Sequence, residues 1–269
     1  MFYHAKNGRL EVGGSGMDYI SFGCGQKPLV MLPGLGDGLK TVRGTAIPFA
    51  VLYRAFAPNY RVYVFSRKDN LPAGYTTGDM ASDQYEAMRQ LGIGRADLIG
   101  VSMGGMIAQE LAIRYPDAVN RLILAVTSSC PNELLRRSVT GWIGMAERRY
   151  YRTLMTDTAE KMYSDRYLRQ NRWLFPLLGS FGAPKSYDRF LVMAEACLSH
   201  DAFDRLGQIK APTLVIGGAQ DNTLGGDASE ALAGQIPSCE LLMYPEYGHG
   251  VYEEAKDFNQ QVLGFLARK

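Results

Sequence analysis

The sequence predicts an α/β fold: a mostly parallel central sheet with helices on both faces, interrupted by an inserted all-helical segment. Three observations predict it. Short apolar runs alternate with helix-length amphipathic stretches, several of those runs contain no polar alternation, and one long stretch has no strand-like run at all. Strand–helix alternation implies crossover connections in a parallel sheet. Strands without alternation are those buried on both faces.

The elements follow in order. Residues 17–22 alternate loosely and end at Gly23 and Gly25, which reads as a strand closed by a turn. Residues 29–32 form an apolar run stopped by Pro33-Gly34, and 61–65 are β-branched and aromatic before the chain turns polar. Further runs at 96–101, 122–126, 213–216 and 241–244 complete the predicted strands. Between them, 79–91 places Met80, Tyr85, Met88 and Leu91 near helical spacing and closes at Gly92. Residues 103–115 set Ile107 and Leu111 four apart and stop before Pro116, while 229–233 and 258–266 supply two more helices.

From Cys130 to Leu206 the alternation stops. Trp142, Ala146, Tyr150 and Leu154 recur at four-residue spacing, as do Phe190, Ala194 and Leu198. A segment this long is a lid or cap rather than a loop. The expected division is a core domain from 1–129 and 207–269, with a helical cap insertion at 130–206.

Bulk composition excludes several classes. A hydrophobic fraction of 46% and a charged fraction of 21% suit a globular chain that builds its own core. A net charge of +2 is too small for a nucleic-acid or anionic-membrane surface. No apolar run approaches a membrane span, and the first 16 residues lack a leader-like apolar stretch, so a cytoplasmic location is expected. Cys24, Cys130, Cys197 and Cys239 are scattered, with no C-x-x-C pair, and read as small buried hydrophobes in a reducing compartment. His4, His200 and His249 have no ligand spacing, so neither a metal nor another cofactor is implied. Oligomeric state is not legible.

The sharpest local signal is Gly100-Val101-Ser102-Met103-Gly104-Gly105, a G-x-S-x-G motif between a buried strand and a helix. A serine on such a turn sits in a strained conformation, and side chains at 100 and 104 would collide across it. The following helix points its positive end at the place where negative charge develops. The bland alternative, an incidental serine at a glycine-rich helix start, lacks that strand–turn–helix context. A serine hydroxyl needs a base. His249, in Tyr247-Gly248-His249-Gly250 just after the last apolar run, is the candidate. His4 lies in polar sequence near the start, and His200 at the end of a cap helix. Asp221 follows the 213–216 strand through Gly217-Gly218-Ala219-Gln220 and is the candidate acid, with Asp227 as its rival. The order Ser, Asp, His is the one this arrangement requires. Oxyanion donors are expected from the backbone N–H of Met103 and, in the Pro33–Gly38 loop, that of Leu35. The glycines at 34, 36 and 38 do not spell a dinucleotide-binding G-x-G-x-x-G, and no clear helix opens on them.

From about Met17 to Leu266 the chain resembles the α/β-hydrolase superfamily. The likeness is carried by Gly100–Gly105 with Met106-Ile107-Ala108-Gln109, by 75–92, by Ala211-Pro212-Thr213 leading to Asp221, and by Gly248-His249. It implies that Ser102, Asp221 and His249 form a triad beneath a helical cap. Three features depart from the superfamily pattern: Pro33-Gly34 replaces His-Gly, Val101 replaces the His before the nucleophile, and Ser66-Arg67-Lys68-Asp69-Asn70 replaces Asp-x-x-Gly-x-Gly-x-Ser. Ser102 sets the chain apart from the epoxide hydrolases and haloalkane dehalogenases, which use Asp there.

The resemblance implies a serine hydrolase that cleaves a small-molecule carboxylic ester, lactone or thioester through an acyl-enzyme on Ser102. Carbon–carbon hydrolysis of a diketone-like substrate uses the same triad, and a non-catalytic binder is a third reading. The cap carries twelve Lys/Arg against nine Asp/Glu. It also holds Tyr150, Tyr151, Tyr163, Tyr167, Trp173, Phe175, Phe181, Tyr187 and Phe190. Aromatic side chains lining a pocket over the triad are one expectation. Helices that need apolar faces to dock explain the same composition.

Overall fold

The computed structural model describes residues 3–171, 173 and 182–268. Among the described residues eight strands form one sheet: β1 (Lys6–Val12), β2 (Ser15–Phe22), β3 (Lys27–Leu32), β4 (Tyr60–Phe65), β5 (Ala96–Val101), β6 (Val119–Ala125), β7 (Thr213–Gly218) and β8 (Cys239–Tyr244). Their order is β1-β2-β4-β3-β5-β6-β7-β8. β2 pairs antiparallel with both β1 and β4, and every other pairing is parallel.

The missing alternation has a direct cause. On β3, Val30 and Leu32 enter one core while Leu29 and Met31 enter the other. Leu122 and Leu124 of β6 likewise face away from Ile123 and Ala125. The first core is closed by α2 (Thr77–Gln90) and α3 (Met103–Arg114), through Met80, Met88, Ile107 and Leu111. The second is closed by α1 (Ala46–Leu52) and by Phe258, Val262 and Phe265 of a C-terminal helix, Phe258–Leu266.

The sequence reading misses β1, α1 and a four-residue helix at Val251–Glu254. β1 is mostly exposed along its length, because an edge strand needs no apolar face. It joins β2 through Gly13 and Gly14, both at positive φ (57° and 74°), the two-residue hairpin that glycines permit.

Between β6 and β7 lie α4 (Glu133–Glu147), α5 (Tyr151–Met162), α6 (Asp165–Asn171) and α7 (Asp188–Ser199), and no strand occurs among the described residues of that segment. The four-residue run from Trp142 to Leu154 is not one helix. It breaks at Arg149, whose φ is 57°, so Trp142 and Ala146 belong to α4 and Leu154 to α5. After β7 follow α8 (Asp227–Gln235), α9 (Val251–Glu254) and α10 (Phe258–Leu266). Among the described residues no helix is long and apolar enough to cross a membrane.

β3 lies between β4 and β5, so the connections leaving β3 and β5 run in opposite directions. The crevice outside the carboxyl ends of such strands is where open α/β sheets place their ligands.

Candidate active site

Ser102 occupies the single residue between β5 and α3, at φ 55° and ψ −123°. A non-glycine residue there is held by its surroundings. Its N–H donates to Ala125 O at 2.9 Å, and its carbonyl accepts from Gly105 N at 2.8 Å. The flanking glycines are sterically compelled. A Cβ on Gly104 would lie 1.9 Å from Leu32 O, and one on Gly100 would lie 2.5 Å from Gly104 O. The turn can therefore press α3 against the end of β3 only if both positions lack side chains.

The structure brings the three residues singled out in the sequence into one hydrogen-bonded chain. His249 Nε2 lies 2.9 Å from Ser102 Oγ, and His249 Nδ1 lies 2.8 Å from Asp221 Oδ2. An ionised carboxylate only accepts, so Nδ1 carries the proton and Nε2 is left to accept from the serine hydroxyl. The second oxygen, Asp221 Oδ1, accepts from the backbone N–H groups of Thr223 (2.7 Å) and Leu224 (2.9 Å). Both His249 and Asp221 are buried, which strengthens their attraction. Asp227 is exposed and opens α8.

Leu35 is the first residue of a short 3₁₀ turn, Leu35–Gly38, and Met103 the first residue of α3. Only this single 3₁₀ turn, and no α-helix, opens on these glycines. Residues at this helical position have no intrahelical partner for their N–H, and among the described residues neither N–H donates to a backbone carbonyl. The loop stands close to Ser102: a Cβ on Gly34 would be 3.3 Å from Ser102 Cβ.

The other histidines lie apart from this chain. His4 is exposed in an N-terminal turn. His200 is buried, with Nδ1 2.9 Å from Thr77 Oγ1, and burial lowers its pKa to about 4.

Sequence reasoning missed the supports. Gly250 N donates to Met162 O at 2.6 Å. Ser164 N donates to Glu254 Oε1 at 2.9 Å and Ser164 Oγ to Glu254 Oε2 at 2.6 Å. The helical segment thus grips the chain on the far side of His249. Glycine spacing around His249 was the available signal: a Cβ on Gly250 would meet Tyr163 Cδ1 at 2.9 Å. Of the segment's aromatic residues, Tyr187 and Phe190 are buried, whereas Tyr150 and Trp173 face solvent. Tyr163 and Tyr167 stack on each other, 4.4 Å between centroids. Phe175 and Phe181 lie outside the described residues. All four cysteines are free thiols, but only Cys197 is buried as expected; Cys24 is exposed in the turn after β2, and Cys130 and Cys239 are half-buried.

Residues 27–256 match the sequence profile of the alpha/beta hydrolase fold. The chain belongs to that family. This α/β-hydrolase is 30% identical over 264 residues to a 2-hydroxy-6-oxononadienedioate/2-hydroxy-6-oxononatrienedioate hydrolase of Klebsiella pneumoniae, covering 91% of this chain and 89% of that one. A Rhizobium rhizogenes protein assigned to carbamate hydrolysis, RutD, is 28% identical over 263 residues, covering 89% and 92%. Among solved structures, MGS-M2, an α/β hydrolase enzyme from a deep-sea metagenome library, superposes with a TM-score of 0.85. That match has 21% identity and covers 97% of this chain and 98% of that one.

Proposed function

We propose that this α/β-hydrolase is a serine hydrolase cleaving a small-molecule carboxylic ester, lactone or thioester through an acyl-enzyme on Ser102. Asp221 and His249 complete the triad, Leu35 and Met103 N–H groups hold the oxyanion, and residues 130–206 act as a cap. The observation that carries this reading is the unbroken chain Ser102 Oγ–His249–Asp221 Oδ2.

The chemistry follows from that geometry. His249 Nε2 takes the hydroxyl proton as Ser102 Oγ attacks the substrate carbonyl. Asp221 holds the imidazole in the required tautomer and stabilises the imidazolium. Charge gathers on the carbonyl oxygen, where the first N–H of α3, supported by the positive end of that helix, offsets it. The imidazolium then protonates the departing oxygen or sulfur, the bond to the leaving group breaks, and an acyl-Ser102 ester remains. Water, deprotonated by His249, attacks the acyl carbon. Ser102 is released with its proton and the carboxylic acid leaves.

A second reading is favoured by the Klebsiella relative, whose name describes hydrolysis of a 6-oxo dienedioate. Here the same attack falls on a ketone, and the leaving group is a carbon atom stabilised by a neighbouring carbonyl and protonated by the imidazolium.

A fluorophosphonate probe should add one adduct, located on Ser102 by mass spectrometry. Ser102→Ala should abolish that adduct and lower turnover on the order of 10⁴–10⁶-fold while remaining folded. Turnover within tenfold of wild type would refute the assignment of the nucleophile. A panel of esters, thioesters and lactones set against vinylogous diketones decides between the two leaving groups, since the preferred class shows the higher kcat/KM.

A further inference from the structure

The segment Ser66-Arg67-Lys68, where the chain departs from its superfamily pattern, buries a guanidinium almost completely. Arg67 is 1% exposed, and desolvation pulls its pKa down against the attraction of Asp37. A buried charge is costly unless it is paired and hydrogen-bonded. Among the described residues its guanidinium makes one hydrogen bond, from Nη2 to the carbonyl of Pro33. Its own backbone N–H donates to Asp37 Oδ2 at 2.9 Å. Pro33 and Asp37 are the two ends of the loop that carries Leu35, so one residue grips the loop on either side of the proposed oxyanion donor. Arg189 of α7 donates to the same Asp37 oxygen. Gly38 lies so close beneath α7 that a Cβ there would come within 2.7 Å of Phe190 Cα.

We propose that Arg67 is a positioning residue for the oxyanion loop, clamping Pro33 and Asp37 so that the Leu35 N–H stays aimed at the reacting carbonyl. This rests on the serine-hydrolase reading above. The clamp is needed because Leu35 sits between Gly34 and Gly36, the residue type that reorients most freely. A peptide unit is planar. A fixed Pro33 carbonyl therefore fixes the Pro33–Gly34 plane, and only the two torsions of Gly34, now at −72° and −166°, separate that plane from the Leu35 N–H. Oxyanion donors work only when held in place before the charge appears. On the other side of the loop, Pro33 O also lies 2.7 Å from where a Gly104 Cβ would stand, so the carbonyl is wedged between Arg67 and the nucleophile helix. Asp37 is ion-paired with Arg189, while the Arg67 charge feels the same carboxylate without pairing to it. Removing the Arg67 charge leaves Arg189 and Asp37 as a balanced pair.

The test is Arg67→Met, which keeps the backbone N–H on Asp37 and deletes the grip on Pro33. The second-order rate constant for fluorophosphonate labelling of Ser102 should fall about 10–100-fold, less than the loss of a donor outright. The Tm should hold or rise, since an imperfectly paired buried charge has been replaced by an apolar side chain. Labelling should still reach one adduct per chain, and the acid limb of its pH profile should match wild type, because His249 and Asp221 are untouched. Should the Met variant fail to fold, Arg67→Gln, neutral but too short to reach Pro33, provides the same readout. A folded variant labelling within threefold of wild type overturns the clamp and leaves the serine-hydrolase reading standing. A loss seen only as a lowered Tm and a smaller labelled fraction also overturns it. If wild-type protein takes no adduct on Ser102, the serine-hydrolase reading fails and the clamp with it.

Discussion

At the scale of single residues, the site depends on side chains held in conformations they would not choose alone. Ser102 at φ 55° carries strain on the order of 1–3 kcal/mol, offset by its two backbone hydrogen bonds and by the glycines that let α3 close over β3. Asp221 spends one oxygen on His249 and the other on two backbone N–H groups, so it cannot rotate away from the imidazole. His200 shows the opposite use of the same side chain. Burial lowers its pKa to about 4, so the folded protein holds it neutral while an unfolded chain would protonate it below about 6.5. The unfolded state then binds more protons, and stability falls as the pH drops from about 6.5 toward 4. The contribution at stake is on the order of 3 kcal/mol. His200→Asn should flatten the dependence of Tm on pH across that window, and it should leave fluorophosphonate labelling of Ser102 near the wild-type rate. An unchanged slope would assign the acid sensitivity to other groups.

At the scale of elements, α2, α5 and α7 are each tied down near one end. α2 begins two residues earlier than its apolar spacing suggests, because Thr76 caps it. Thr76 Oγ1 accepts from Asp79 N at 3.1 Å, and Asp79 Oδ2 accepts from Thr76 N at 2.9 Å. Thr76→Ala should remove ~1 kcal/mol, which for a chain of this size lowers the Tm by about 2–4 °C. Thermal unfolding checks this, and Thr76→Ser should recover most of the loss. α2 also presents Asp83, which pairs with Lys68 at 3.0 Å, while Tyr75 donates to Asp83 at 2.9 Å. That anchors the residue next to Arg67. α5 ends at Met162, whose carbonyl accepts from Gly250 N, and α7 rests on the 3₁₀ turn that contains Leu35. The helical segment therefore touches the loop that carries His249 and the loop that carries Leu35.

At the scale of the molecule, the strand order reverses between β3 and β5, and the residues of the proposed site lie at the carboxyl ends of the parallel strands around that point. Leu35 follows β3, Ser102 follows β5, Asp221 follows β7 and His249 follows β8. Two cores, one on each sheet face, hold those strand ends level without any covalent staple. The four thiols are free, with Cys24 exposed and Cys197 buried. A disulfide-reactive chromophore should titrate Cys24 rapidly in native protein and all four thiols in denaturant, and Cys197 should stay protected until unfolding. Reductant should leave the Tm unchanged. A Tm that fell on reduction would reveal a pairing that the fold does not contain.

The elements the sequence determined are those governed by short-range rules. A strand buried on both faces is apolar at consecutive positions along its centre, which marks β3, β5, β6 and β7. A strand–turn–helix too tight for side chains must spell Gly-x-Ser-x-Gly, which marks Ser102. The chain order of strand ends then singled out Asp221 and His249. β1 stayed hidden because an exposed edge strand has no apolar constraint to display. The break at Arg149 stayed hidden because four-residue spacing continues across a kink as readily as along one helix. The tertiary structure alone decided which polar groups meet: Arg67 with Pro33 and Asp37, Arg189 with the same Asp37, Met162 with Gly250, His200 with Thr77. Such pairs join residues that are distant in the chain and have no periodicity. Their partners are chosen by where the folded backbone delivers an unsatisfied donor or acceptor, and that is settled only once the sheet and its helices have closed.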